Sequence, residues 1–295
     1  MPNRYHIFAG LFLLVVLTLF LTSPLLAFQK STTVNANPVL LLTRTTTKHE
    51  VRRFGYGGTV TIIGAPKGSI TVEGWPRSEV EMTANIELRA ESEDDLNQLA
   101  AVNTFVSDED TNHLSLLSTG THDRVFMKRV AKNFPKRLLN LPWKIDYRLH
   151  VPTSTDLEIT AGSGGIKLIG VEGSVRLSAA ESETMLTLTG GFVSATIAAG
   201  NVHLVVPVRS WRGAGAEIRV AAGDLTIELP AGFNGDIDAD ILRSGKIVNS
   251  YEDLQPRQKP GLTDQIVRGR AGSGGASFKF TLGVGTLYIT KTPSQ

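Results

Sequence analysis

The sequence predicts an all-β fold, a ladder of short strands carrying one short helix near residues 91–102. Three observations predict it. Apolar residues alternate with period two in segments from His49 to Ile289, glycines punctuate those segments at nearly even intervals, and the pattern turns helical in one place. With 295 residues and 41% hydrophobic content, there is enough apolar material for one elongated domain or two compact ones.

The N-terminus carries Arg4 followed by the apolar run Ile7–Leu21, broken by Gly10 and Thr18, and then Ser23-Pro-Leu-Leu-Ala27. A positive start, an apolar core and a small residue after a helix breaker describe a signal peptide over residues 1–27. The run is also close to the roughly 20 residues that span a bilayer, so a retained anchor is the alternative, and membrane association follows only if it is retained. Residues 28–48 read as a linker and first strand, with order beginning near Val39.

Residues 49–150 form an N-terminal β region. Val60, Ile62 and Ile63 precede a Gly64–Gly68 turn, Ile70 and Val72 precede Gly74-Trp-Pro76, and Val80 to Leu88 alternate strictly. Leu96, Leu99, Ala100 and Val102 then read as one helical face behind Glu91, Glu93, Asp94 and Asp95, acids that suit the positive end of a helix. A basic connection, Arg124 to Arg137, leads to Pro142-Trp143.

Residues 151–295 read as a C-terminal ladder. Leu157 and Ile159, Ile166 and Leu168, Val175 and Leu177, and further pairs as far as Ile237, Ala239 and Ile241 sit between glycines spaced 8 or 9 apart. One short strand and one turn fit each interval. An antiparallel sandwich gives similar spacing, but turns of one or two glycines and the lack of long loops favour stacked repeats.

The pieces Gly68-Ser-Ile-Thr-Val-Glu-Gly-Trp75, Tyr147-Arg-Leu-His-Val-Pro152, the repeated Gly-x-Ile/Leu-x-Ile/Leu steps and Gly272 to Ile289 occur in an order and spacing that resembles the bacterial putative-adhesin, or toast-rack, family of β-strand-repeat envelope proteins. The resemblance covers about Val51 to Ile289. It implies a right-handed parallel β-solenoid opened by Tyr147–Pro152 and closed by Gly272–Ile289, and it brings no catalytic residues. That family's serine-glycine-aspartate steps are represented here by Ala222-Gly-Asp224 and, as a variant, Ala199-Gly-Asn201.

Thirty basic residues against 28 acidic ones give no electrostatic case for nucleic acid. The absence of cysteine removes disulfides, thiolate nucleophiles and thiolate metal sites. No Gly-x-Ser-x-Gly elbow precedes a helix, and His150 and His203 lie in strands, out of phase with their apolar neighbours. Asp236, Asp238 and Asp240 fall about 7 Å apart on one strand face. The nonapeptide calcium pattern is missing, so they read as a solvated row. Gly269-Arg-Ala-Gly-Ser-Gly-Gly275 runs into a strand rather than a phosphate-binding helix and reads as a flexible connection.

One stretch outside the ladder is chemically distinctive. Arg124, Lys128, Arg129, Lys132, Lys136 and Arg137 occur without an acid among Val125, Phe126, Met127, Val130 and Phe134, a composition suited to contact with an anionic surface and equally to an ordinary exposed loop or short helix joining the two halves. The expectation is an exported, periplasmic or cell-surface, non-enzymatic scaffold or binding module. Its partner would be a protein, a glycan or a lipid surface, with no cofactor and no metal. Two alternatives are a carbohydrate-active β-helix enzyme and an envelope-stress sensory domain.

Overall fold

Alternation of side chains makes most of this chain extended, and the computed structural model describes residues 41–293 apart from residue 260. The predicted signal segment and residues 28–40 lie outside the described residues. The first part comprises β1 (Leu42–Arg53), β2 (Thr59–Ile63), β3 (Ile70–Trp75), β4 (Glu79–Ala90), α1 (Glu93–Val102), β5 (Thr104–Glu109), β6 (His113–Thr119), α2 (Arg124–Val130) and β7 (Trp143–Pro152). The repeats follow as β8 (Asp156–Ser163), β9 (Ile166–Ile169), β10 (Ser174–Glu181), β11 (Thr184–Thr187), β12 (Gly190–Ala199), β13 (Val202–Val205), β14 (Arg212–Ala222) and β15 (Leu225–Leu229). The chain ends in β16 (Gly235–Asn249), β17 (Leu254–Pro256), β18 (Ile266–Ala271) and β19 (Ser277–Lys291).

Consecutive strands pair off into rungs, and the rungs stack in parallel. On one limb β2, β8, β10, β12, β14, β19 and β16 lie side by side in that order. On the other limb β3, β9, β11, β13 and β15 do the same, followed by the far halves of β19 and β16. The parallel ladder is therefore as predicted, and β2 and β3, which precede residue 151, form one of its rungs.

Between the limbs the inward residues stack in columns. Ile62, Ile159, Leu177, Ala195, Ile218, Phe280 and Ala239 occupy one, and Val72, Leu168, Leu186, Leu204, Ile227 and Ile289 another, each at most 3% exposed. Each large aliphatic buried this way contributes about 1.5–3 kcal/mol before entropy is set against it.

The corner between the limbs explains the Gly-Asp and Gly-Asn steps. Gly200, Gly223, Gly285 and Gly245 stack there with φ between +114° and +143°, each lying against the backbone of the neighbouring rung. The residue after the glycine then reaches across. Asp224 Oδ1 accepts from Thr286 N at 2.7 Å, and Asn201 Oδ1 accepts from Asp224 N at 3.0 Å. A short acceptor at this position satisfies a backbone donor that would otherwise be left over at the bend.

The ends of the stack differ from a uniform parallel ladder. Antiparallel pairs β1–β4, β4–β7 and β5–β6 cover one end, and β16–β18–β17 the other, which leaves little parallel edge open to another chain. The last strand, β19, does not close the ladder as the resemblance implies. It slots between β14/β15 and β16, so β16 is the outer strand. The predicted helix is α1, capped by the Ser92 hydroxyl, which accepts from Asp95 N at 3.2 Å, and its buried Leu96, Leu99 and Val102 face inward. A second helix, α2, and a 3-10 turn at Lys136–Leu138 occupy the basic connection.

Candidate functional site

The six cations predicted as a surface site divide into two groups. Arg137 donates to both carboxylate oxygens of buried Asp95 at 2.5 and 2.6 Å, tying the basic connection to the first turn of α1. The guanidinium holds the Asp95 carboxyl below the usual carboxylate range. Arg137 is thus a structural clasp, which its place in a run of cations does not reveal. Arg124, Lys128, Arg129, Lys132 and Lys136 are exposed and make no ion pair among the described residues. Asp123 caps α2 by accepting from Val125 N and Phe126 N, at 2.8 and 3.0 Å. Val125 and Val130 stand out among the cations at 77% and 53% exposure.

The aspartate row is not a solvated face. Asp236 accepts from Arg270 Nε at 2.8 Å, Asp238 pairs with Arg257 at 2.5 Å, and Asp240 pairs with Arg268 at 2.7 Å. Arg270 holds the Asp236 carboxyl below its ordinary value, whereas a glycosidase acid has to be held above it. Sequence alone does not reveal these partners, because Arg268 and Arg270 lie on β18, some 30 residues away and antiparallel to β16, and Arg257 follows β17, 19 residues from Asp238. The predicted flexible connection begins later than expected, since Gly269 and Arg270 belong to β18.

The histidines sit among acids and hydroxyls. His150 stacks on Trp75 with ring centres 5.1 Å apart and has Glu73 and Glu81 within 3.7 and 3.5 Å. His203 Nε2 lies 2.9 Å from Glu228. Among the described residues no three His, Cys, Asp or Glu side chains converge as a metal site.

A groove of about 720 Å³ runs along the outer face of the second limb. Its floor is one register column, Thr71, Lys167, Met185, His203, Thr226 and Tyr288, contributed by six adjacent strands. At about 4.8 Å per strand the column is roughly 24 Å long. Glu183, Asn201 and Asp224, the residues after the corner, form one wall. The surface joins a half-exposed aromatic ring and an exposed thioether to amide, imidazole and carboxylate groups. It can hold an extended ligand by stacking and hydrogen bonds. Each residue looks like an ordinary outward side chain in sequence, and only the register brings them into line.

No family model matches the sequence, and no curated protein matches it. Among solved structures, the chain resembles a "putative cell adhesion protein" from Clostridium sporogenes with 14% identity over 84% of this chain and 100% of that one, TM-score 0.46. A "putative adhesin" from Bacteroides fragilis aligns with 11% identity over 83% and 97%, TM-score 0.33. Another from Parabacteroides distasonis aligns with 8% identity over 84% and 97%, TM-score 0.26.

Proposed function

We propose that this protein is an exported, non-enzymatic binding module of the bacterial cell envelope, which holds a glycan chain in the outer groove of its second limb. The observation that carries the reading is the straight column from Thr71 to Tyr288, six rungs deep and walled by Glu183, Asn201 and Asp224. A strand ladder repeats at about 4.8 Å, so it meets a polymer along its length rather than gripping one residue. A ring face with interspersed hydrogen-bonding groups suits sugar, whose rings have apolar faces and hydroxyl edges. The N-terminal run Ile7–Leu21 followed by Ala27 supports export.

Enzymatic cleavage of such a polymer is the less favoured reading, because the carboxylates nearest to glycosidase spacing are each engaged by an arginine. The test is affinity electrophoresis of residues 28–295 in gels containing solubilised peptidoglycan or envelope polysaccharide. Retardation by one of these polymers is expected. Tyr288→Ala, which removes the aromatic at the end of the floor column, should weaken it about fivefold, as loss of roughly 1 kcal/mol of ring stacking does. No retardation by any of the polymers, or equal retardation of the Tyr288→Ala variant, would overturn the reading.

A further inference from the structure

The basic connection offers a surface of a different kind. Six of the thirty lysines and arginines fall within Arg124–Arg137, leaving 24 against 28 acidic residues in the remainder of the chain. The molecule is therefore locally positive on an otherwise net negative body, a distribution that turns one face toward an anionic surface. With Arg137 held by Asp95, five cations remain, on the same segment as the exposed Val125 and Val130. Beside them a groove of about 750 Å³ opens between α1 and α2, with Ala101, Val102, Phe126 and Phe134 in its lining. Positive charge interleaved with protruding aliphatic residues is the composition of a face that lies in a lipid headgroup layer.

The basic connection is held firmly to the fold through α1. Arg44, near the start of β1, bonds to Asn97 at 2.8 Å and pairs with Glu93, both on α1. The chain thus joins the fold beside the helix that Arg137 ties to the basic connection.

We infer that Arg124, Lys128, Arg129, Lys132 and Lys136, with Val125 and Val130 between them, form a docking face for an anionic phospholipid bilayer. Headgroup phosphates neutralise the cations while the two valines enter the layer. The face is separate from the groove, so the two functions fail independently.

The experiment is vesicle sedimentation of residues 28–295, a span that contains every core residue from Phe54 to Ile289. Vesicles of phosphatidylcholine with about a quarter phosphatidylglycerol should bind the protein, and pure phosphatidylcholine should not. The triple variant Lys128→Gln/Arg129→Gln/Lys132→Gln should lower the partition coefficient about 100-fold, roughly fivefold per cation. Raising the salt to about 0.5 M should release the wild-type protein. Val125→Ser/Val130→Ser keeps every charge and should still weaken binding severalfold, and Tyr288→Ala should leave it unchanged. Equal binding to the two kinds of vesicle, unaltered binding by the triple variant, or capture by soluble polyglutamate with no vesicle binding would each overturn the inference. Unchanged circular dichroism of the variants shows that a loss is not unfolding.

Discussion

Gly223 stands at the corner with φ +139°, and a Cβ there would lie 2.7 Å from the carbonyl carbon of Gly200 and closer still to its oxygen. Those are backbone atoms of the neighbouring rung, so no side-chain rotation relieves the clash. Holding a non-glycine residue in such a region costs about 1–3 kcal/mol. Separating the rungs also strains the hydrogen bonds on either side, Gly200 N to Ala222 O at 3.0 Å and Gly223 N to Val284 O at 2.9 Å. Losing one adds about 1 kcal/mol. Gly223→Ala is therefore expected to destabilise by about 2–4 kcal/mol, a large share of the 5–15 kcal/mol typical of a domain. Gly232 has φ +68° and would place its Cβ in open space, so Gly232→Ala should cost only about 1–2 kcal/mol, the left-handed penalty alone. Urea unfolding of residues 28–295 followed by far-UV circular dichroism reads both. Equal losses for the two variants would refute the argument that rung-to-rung contact, rather than φ alone, requires glycine at the corner.

Ile218→Asp puts a carboxylate between Ala195 and Phe280 at a fully buried position, a loss of several kcal/mol, whereas Arg219→Asp on the outward face should change stability by about 0.5 kcal/mol. Equal tolerance in urea titrations would show that the strands do not bury one face. Asp95 is lowered by Arg137, Asp123 by the Phe126 and Val125 amides, and Asp236 by Arg270, so each stabilises the fold above the unfolded carboxylate value near 3.9 and ceases to as pH falls through its folded value. Unfolding free energy measured by urea titration should accordingly fall below about pH 4, and a stability that rises there would contradict these pairings. Burial pushes the Tyr147 hydroxyl up to about 12, so the stability it contributes is intact below the unfolded value near 10 and is lost as pH rises from there through 12. Tyr147→Phe should lessen that alkaline decline without removing it, because burial also raises the Tyr251 hydroxyl and Asp146 raises Lys144.

What was legible in the sequence was local. Period-two alternation places Ile159, Leu177 and Ile218 in the core because one-face burial leaves its mark on every second residue. The acid-rich first turn and apolar face of α1 are equally local. What escaped depends on register between distant strands. Asp238 faces Arg257 and Asp240 faces Arg268 only because β16 turns back through β17 and β18. Arg137 finds Asp95 across 42 residues, and nothing in a run of six cations singles out the one that is spoken for. The groove is a register effect too, since Lys167, His203 and Tyr288 share a column although 121 residues separate the first from the last.

The placement of β19 has a consequence for assembly and for the groove together. A simple repeat protein adds each rung to the one before, so its stability grows by nearest neighbours. Here the rung after β14 and β15 is supplied by β19, while β16, earlier in the chain, waits one position further out. β16 pairs with β18 through the nearby turns of the chain, and its place in the parallel ladder is beside Ser277–Lys291. That single strand closes contacts with β14, β15 and β16 and buries Phe278, Phe280, Leu282, Leu287 and Ile289 in one step. It also delivers Tyr288 to the end of the groove column. In the folded chain one strand thus both supports β16 and supplies the end of the proposed binding surface, and a chain lacking β19 would lose the aromatic end of the groove along with the support of β16.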